Sequence, residues 1–397
     1  MVPTRPWQTG QPRGWRTRPR WDTAGLAAEL AMAANRHDRD DIHWPTVVHP
    51  GGIVWATALA VGAELRSDWP DLLSAAALGY QADISLARAL GPTHRRLWHA
   101  TATCGTVASA LTAAYLIDPD PDFLSDAAGH AISIAGGSST FLLEHSSTGV
   151  FHRGHAALAG IAAARAALLI PGATRSALEA GNGVLTAMTD SVDLSALRAP
   201  WVGGPALAEV SFRCHPTCGY AQTAVEACLR LGVIELEKIA KIEIEVPERL
   251  AQATLEGVPQ SRIEAWWSIK YAVTNGLLGG SPAPTTNADY VSGIRMRLLR
   301  ATTIKKRLGS APEDLAARVQ VRLTSGQALS AVADHHLGQP QHPAPREVLA
   351  QKWRQMDAGV QDSLLRRLDS QIVRDVTAHS MLLALRNLHL LRHETGT

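Results

Sequence analysis

The stretch IVWATALAVGAELR, residues 53–66, decides the fold class of this chain. Ala and Leu dominate it, which favours helix over sheet. A helix this apolar usually packs against other helices on several sides. The same character recurs as far as Leu207 in segments that Pro, Gly and Asp separate, namely Leu72–Leu90, Gly105–Leu116, Asp126–His145, Gly154–Ile170 and Ser176–Met188. The pattern predicts a compact helical domain.

The character of the sequence changes near Val210. Lys241–Val246 (KIEIEV) and Arg318–Leu323 (RVQVRL) alternate apolar and polar residues, as half-buried strands do. Helix candidates lie between them, at Ala221–Leu231 and Glu264–Leu278. Helical pattern returns after the Pro-rich stretch 338–345. We therefore predict a mainly α protein, in which a large all-helical domain (22–208 plus 341–397) is interrupted by a smaller α+β domain (209–340).

Composition limits the classes of partner. The 397 residues carry a formal net charge of +2, which gives no reason to expect nucleic acid or an anionic membrane as partner. We expect no membrane span, since uncharged apolar stretches fall short of the ~18 residues that a spanning helix needs. The four Cys have neither redox nor zinc spacing, so we expect reduced thiols in a cytoplasmic protein.

The first 21 residues differ from the rest of the chain. They contain five Arg and no acidic residue, without apolar periodicity, and we predict a disordered basic tail. The continuous apolar region of a signal peptide is missing. A tail that binds nucleic acid or a partner protein is the alternative.

A polar junction precedes the quoted helix. His49 and Pro50 are followed by Gly51 and Gly52, just before the predicted helix start at Ile53. The first amides of a helix lack intrahelical partners and carry partial positive charge, so a carboxylate could bind them. His49 would stand beside that carboxylate as an acid or base. A capped helix start with a loop histidine is the alternative interpretation.

Three further junctions combine His with Gly or hydroxyl groups, two at predicted helix starts and the last where the α+β segment begins. They are Trp98–Gly105 with His99, His152–His155, and Phe212–Tyr220. Each alone is weak, but four in an otherwise apolar chain indicate a site. The sequence has no GxGxxG, Walker A, HExxH or GxSxG motif, and its histidines lack metal-ligand spacing. We predict no metal.

In this order, the junctions resemble the MmgE/PrpD family, which includes 2-methylcitrate dehydratase and cis-aconitate decarboxylase. The resemblance covers about Gly25 to Met356. It is carried by AANRHDRDDIHW and HPGG (33–52), GYQADISLARALG and WHATATCG (79–105), FHRGHAALAG (151–160), FRCHPTCGYAQ (212–222), WWSIKYAV (266–273) and GQPQHPAPREVLAQKW (338–353).

The resemblance implies a helical domain with an α+β lid, usually as a homodimer, that works without metal or organic cofactor on small di- and tricarboxylates. Such enzymes remove water or carbon dioxide, or epimerise a carbon next to a carboxylate. Carried over, His49 is the principal acid/base, His99 its partner, and Asp38 orients His49. The substrate-binding residues are then Gly51, Gly52, Arg213, His152 and Tyr271.

The sequence also departs from the family pattern. Ile42 replaces a Thr, Val150 a Lys, Gln81 a Glu and Gln222 a His, while Arg213 stands where the family has a pocket Lys. Because guanidinium does not deprotonate in proteins, Arg213 cannot act as a base. The less cationic pocket predicts a carboxylic-acid or carbonyl substrate with less charge than a tricarboxylate, and we expect an intermediate of specialised metabolism. We expect a hydro-lyase, carboxy-lyase or isomerase; a non-catalytic binding or scaffolding subunit is the alternative.

Overall fold

A computed structural model describes residues 22–34, 40–144, 146–198, 205–279, 293–311 and 313–349. Contacts within the chain divide these residues into a larger unit, Asp22–Cys214 with 338–349, and a smaller unit, His215–Leu337. The predicted tail and the helical pattern predicted after residue 349 lie outside the described residues.

The described part of the larger unit is mainly helical. Its helices are α1 (Thr23–Ala34), α2 (Pro50–Leu65), α3 (Trp69–Leu97), α4 (Ala100–Ile117), α5 (Pro121–Ile134), α6 (Thr140–Glu144), α7 (Thr148–Leu169), α8 (Val184–Met188) and α9 (Ser195–Arg198). Two short strands, β1 (Asp41–Ile42) and β2 (Ser211–Phe212), pair antiparallel. Because β2 belongs to this pair, the unit ends after Cys214 rather than at the predicted residue 208.

Helix α4 lies in the core, and small residues let its neighbours approach closely. A Cβ on Gly105 would stand 2.4 Å from Ile53 Cδ1, and one on Gly160 would stand 2.4 Å from Ser109 Cβ. By length and composition α4 could cross a membrane, contrary to the expectation that no stretch would qualify, but 78% of it is buried inside the protein. It has the burial of a core helix in a helical bundle.

Two predicted helices differ in the structure. Asp126–His145 is interrupted after Ile134, where Gly136 and Gly137 follow and Gly137 has a φ of 120° that favours glycine. The helix predicted at Ser176–Met188 was wrong for most of its length, since only α8 is helical there. Composition alone suggested helix in both places, because a short turn in an Ala-rich stretch leaves no break in hydropathy.

The smaller unit contains a four-stranded mixed sheet in the order β4-β3-β5-β6. Its helices are α10 (Gln222–Leu229), α11 (Glu248–Gln252), α12 (Arg262–Trp266), α13 (Ile269–Leu277) and α14 (Gly293–Arg300). The strands are β3 (Ile239–Pro247), β4 (Thr302–Arg307), β5 (Ala317–Leu323) and β6 (Ala328–Ala333). Both predicted strands are confirmed as β3 and β5, which pair with Ile244 opposite Val319. The outer strands β4 and β6 were not predicted, because their residues are largely exposed and do not alternate clearly between apolar and polar.

One buried acid in α3 has an unusual environment. The Asp83 side chain is fully buried, and neither carboxyl oxygen has a hydrogen-bond partner among the described residues. Burial, with a smaller contribution from Asp41, raises the pKa of Asp83 well above its ordinary value. The folded protein therefore keeps Asp83 neutral at a pH where the unfolded chain ionises it. Asp83 therefore lowers the free energy of unfolding at neutral pH. The decrease begins near the pKa of Asp83 in the unfolded chain and grows as the pH rises towards its pKa in the folded protein.

We expect Asp83→Asn to stabilise the protein at pH 7 by more than about 1.4 kcal/mol, the free-energy equivalent of one pKa unit. Asn occupies a similar volume but cannot ionise, so the gain should vanish near pH 4. Urea denaturation at both pH values measures it.

Asp126→Asn is the matched control for Asp83→Asn. Asp126 is also buried, but its oxygens accept the amides of Gly172 at 2.8 Å and Ala173 at 3.2 Å. Placing an NH2 group opposite one of these donors should destabilise the protein by about 1–3 kcal/mol. A destabilising Asp83→Asn at pH 7, or a gain independent of pH, would show that Asp83 is not a neutral buried acid.

Candidate active site

His49 lies directly before α2, and its ring is held from the Nδ1 side. Nδ1 is 2.8 Å from the carbonyl oxygen of Asp41. A carbonyl oxygen only accepts, so Nδ1 carries the proton and Nε2 is the basic nitrogen of the neutral ring. The Asp40 carboxylate lies 3.2 Å from the same Nδ1. The tautomer is therefore that of a general base acting through Nε2.

The carboxylate beside His49 is paired with a buried arginine. Arg213 Nη2 donates to Asp40 Oδ1, and Arg213 Nε donates to the Asp40 carbonyl oxygen at 3.1 Å. Both side chains are only 3% exposed. We expected Arg213 to hold a substrate anion; the structure instead pairs it with an internal carboxylate. Its charge is thereby largely compensated inside the protein.

Asp40 is the functional residue that sequence reasoning missed. We expected Asp38 to orient His49, but Asp38 lies outside the described residues, so that role stays a prediction. The signal was the cluster of acids at positions 38, 40 and 41. Successive side chains of an extended segment point to opposite faces, so the cluster did not show which acid meets His49.

The start of α2 does bind a carboxylate, but the carboxylate belongs to the chain. Asp41 Oδ1 accepts the Gly51 amide at 3.0 Å, and Asp41 Oδ2 accepts the Tyr80 hydroxyl at 2.6 Å. A Cβ on Gly51 would stand 2.5 Å from the Tyr80 oxygen, so glycine is needed here. The Gly51 amide is thus already bonded within the chain, and its expected contact with substrate stays a prediction. Gly52 is buried, with its Cβ direction facing Ala34 at an ordinary packing distance, and its proposed contact with substrate stays a prediction.

The second predicted histidine, His99, directly precedes α4 and contacts another histidine. Its Nδ1 is 3.2 Å from Nδ1 of His152. Its backbone amide donates to Gly137 at 2.8 Å. His152 lies inside α7, which begins at Thr148, and not at a helix start as expected. The ring of Phe141 packs against both imidazoles, with centroids 4.7 Å from His99 and 5.6 Å from His152.

Burial disfavours the charged form of both rings of this pair. It lowers the pKa of His99 well below its ordinary value, and repulsion from Arg153 and from the protonated forms of His152 and His49 adds to the effect. Burial also lowers the pKa of His152, with smaller contributions from His155 and Arg153. Because His49 contributes to the pKa of His99, the structure brings the two predicted acid/base residues within electrostatic range of each other in the larger unit.

The predicted residues of the smaller unit have structural contacts there. The Tyr271 side chain is fully buried, its ring lies 5.7 Å from the Arg295 guanidinium carbon, and its hydroxyl has no hydrogen-bond partner among the described residues. Its expected contact with substrate stays a prediction. Gln222, which replaces a family His, donates to the carbonyl oxygens of His215 at 2.7 Å and Thr217 at 3.1 Å. It therefore stabilises the turn before α10.

No group of three or more His, Cys, Asp or Glu side chains that could hold a metal ion occurs within the part of the chain that the structure describes. The chemistry offered by the described site is that of imidazoles and carboxylates. One histidine presents a basic nitrogen and the other shares a proton with a neighbouring ring.

Together, the fold and the histidines define a mainly helical protein with a smaller α+β part and a candidate acid/base site. The MmgE/PrpD N-terminal domain model matches residues 6–196, and the MmgE/PrpD C-terminal domain model matches residues 215–377. The chain belongs to the MmgE/PrpD family. This family is known for dehydratase-type lyases. The comparison with curated proteins gave no match.

Proposed function

We propose that the protein is a lyase or isomerase that moves protons at a carbon next to a carboxylate or carbonyl of a small organic acid. The observation that carries the proposal is the 2.8 Å contact of His49 Nδ1 with the Asp41 carbonyl oxygen. The Asp41 carbonyl holds the proton on Nδ1, and Asp40 lies beside it, so Nε2 is the nitrogen that accepts a proton. Family membership supports the lyase class.

The proposed chemistry needs one base and one acid. His49 Nε2 removes the proton from the carbon next to the carbonyl, and the C–H electron pair forms a carbon–carbon double bond. In a dehydration the neighbouring C–O bond breaks, its electron pair stays on oxygen, and the proton from His99 makes the leaving group water. For an epimerisation His99 returns a proton to the opposite face of the same carbon. In a decarboxylation the pair left by carbon dioxide takes a proton from one of the two imidazoles.

The charges around the site support a substrate with few carboxylates. Arg213 is paired with Asp40, and the family Thr and Lys positions hold the apolar Ile42 and Val150. A tricarboxylate would need several cations that are not already compensated. We therefore propose a monocarboxylate, dicarboxylate or ketone substrate.

The experiment that tests this proposal is incubation of the purified protein in heavy water with a panel of small mono-, di- and tricarboxylic acids and ketones, followed by proton NMR. We expect solvent deuterium next to a carboxylate or carbonyl, or a new alkene signal, for substrates with one or two acidic groups. A clear preference for a tricarboxylate would contradict the substrate class. Absence of exchange across the panel would contradict the catalytic proposal and favour a non-catalytic binding subunit.

A further inference from the structure

The contact between His99 and His152 restricts where their protons lie. Their Nδ1 atoms are 3.2 Å apart, and a hydrogen bond between two nitrogens contains one hydrogen. In a pair of neutral rings, one Nδ1 therefore carries a proton and the other does not. The two rings then have opposite tautomers, so one Nε2 is a donor and the other an acceptor. The pair is a proton donor and a proton acceptor joined by one hydrogen bond.

We propose that His152 relays protons between solvent and His99. This inference rests on the proposed function, in which His99 gives the leaving group or the substrate carbon a proton. It assigns His152 a role through His99, in place of the direct substrate contact that the family resemblance suggested. His152 is thus a positioning and relay residue, and His99 remains the group that touches substrate.

The relay conserves atoms and charge. At the start, His152 carries its proton on Nδ1 and His99 carries its proton on Nε2. His99 releases the Nε2 proton to the substrate and receives the Nδ1 proton of His152, while His152 takes a proton from solvent at Nε2. Both rings end neutral with exchanged tautomers, and one proton has passed from solvent to substrate. The reverse sequence carries a proton out to solvent.

The surroundings favour this neutral transfer over a charged intermediate. The charged and titratable groups that act on His99 are Arg153, His152 and His49, and those that act on His152 are His155 and Arg153. All of these are cationic or become cationic on protonation, so an imidazolium in the pair would be repelled as well as poorly solvated. A relay that only exchanges tautomers creates no buried charge.

The geometry also fixes the two rings and connects one of them to the surface. Phe141 packs on both imidazoles, and a Cβ on Gly137 would stand 3.4 Å from His152 Nδ1, so this side of the ring is closely packed. His152 is half-buried, and its helix neighbours Phe151 and His155 are exposed. Burial depresses the pKa of His99 further than that of His152. Both histidines are partly exposed, and we assign the solvent side of the relay to His152 because burial lowers its pKa less.

The activity test uses His152→Asn. An Asn amide reaches the position of Nδ1 and can keep a hydrogen bond to His99, but it cannot pass a proton onward. We expect the exchange rate in heavy water to fall at least about tenfold, because His152 acts through His99 and its loss can be smaller than the 10²–10⁴ that direct proton transfer contributes; KM should change less than about twofold. Added imidazole should restore most of the rate in His152→Ala. A control, His130→Gln, changes a histidine that has no part in the proposed relay, since its Nε2 hydrogen-bonds the Ile170 carbonyl oxygen, and should leave the rate unchanged. Full activity in His152→Asn would overturn the relay.

A second measurement needs no substrate. Long-range proton–nitrogen NMR of the ring nitrogens reports the tautomer of each histidine, and the signals of this pair are those lost in His99→Gln and His152→Asn. We expect one Nδ1–H ring and one Nε2–H ring. Identical tautomers, or a cationic ring at neutral pH, would overturn the relay even if the enzyme is active. Opposite tautomers without exchange on any acid would remove the proposed function and the relay that serves it, leaving only the hydrogen bond.

Discussion

His49→Ala is expected to lower turnover by about 10²-fold or more, with folding intact. The variant removes the only nitrogen in our mechanism that accepts the substrate proton. Folding should survive, because the side chain is partly exposed at 12% and its contacts lie at the start of α2 rather than in the core. Deuterium exchange on the best substrate gives the rate, and circular dichroism with thermal unfolding reports the fold.

Two further variants separate catalysis from structure at this position. His49→Asn can still donate a hydrogen bond to the Asp41 carbonyl, so it should retain stability but lose as much activity as His49→Ala. His130→Gln is a control at a histidine outside the proposed mechanism: His130 Nε2 hydrogen-bonds the carbonyl oxygen of Ile170 at 3.1 Å, and the variant should keep full activity. Undiminished exchange in His49→Ala would remove His49 from the mechanism.

Arg213→Met is expected to destabilise the protein by about 3–5 kcal/mol, because it leaves the buried Asp40 carboxylate without its cationic partner. Arg213 and Asp40 are each only 3% exposed, so water cannot readily replace the lost contacts. Arg213→Lys keeps the charge but cannot reproduce both the Nε and Nη2 contacts, so its free energy of unfolding should fall less than that of Arg213→Met. Urea denaturation at pH 7 measures the free energy of unfolding of each variant.

The double variant Asp40→Asn with Arg213→Met tests whether the loss comes from the unpaired carboxylate. It should recover part of the stability lost in Arg213→Met, because no ionised group remains buried alone. The alternative role of Arg213, as the residue that binds substrate, predicts a different pattern. Arg213→Lys would then raise KM with little change in stability, and that outcome would contradict the structural role.

The amount of the fold that sequence reasoning predicted follows from how local each signal is. The alternation in KIEIEV depends on side-chain direction along one strand, and β3 confirms it. Apolar Ala-rich stretches predicted α2, α3, α4 and α7, because a helix that is buried on most sides is apolar along most of its own sequence. The helix predicted at Ser176–Met188 was wrong before Val184, because nothing local distinguishes an Ala-rich helix from Ala-rich turns.

The candidate site likewise combines features that are local in the sequence with contacts between residues far apart in the sequence. His49 and His99 were found because each directly precedes a helix, which is a local property of the chain. The partner of Arg213 was not found, since Arg213 and Asp40 are 173 positions apart. The contact between His99 and His152 joins residues 53 positions apart. Nothing in the sequence near either member of these pairs identifies the other.

The sequence by itself determined the mainly helical class, the two central strands of the sheet and the family resemblance, and it singled out the two histidines that we propose as acid and base. Only the tertiary structure decided which charges compensate each other and which groups the nitrogens of each histidine contact. The physical reason is that hydropathy and helix propensity are properties of neighbouring residues, whereas tautomer and net charge depend on hydrogen bonds between distant ones. For this protein, those distant hydrogen bonds turn Arg213 from an expected substrate anchor into the partner of Asp40, and make Nε2 of His49 the proposed base.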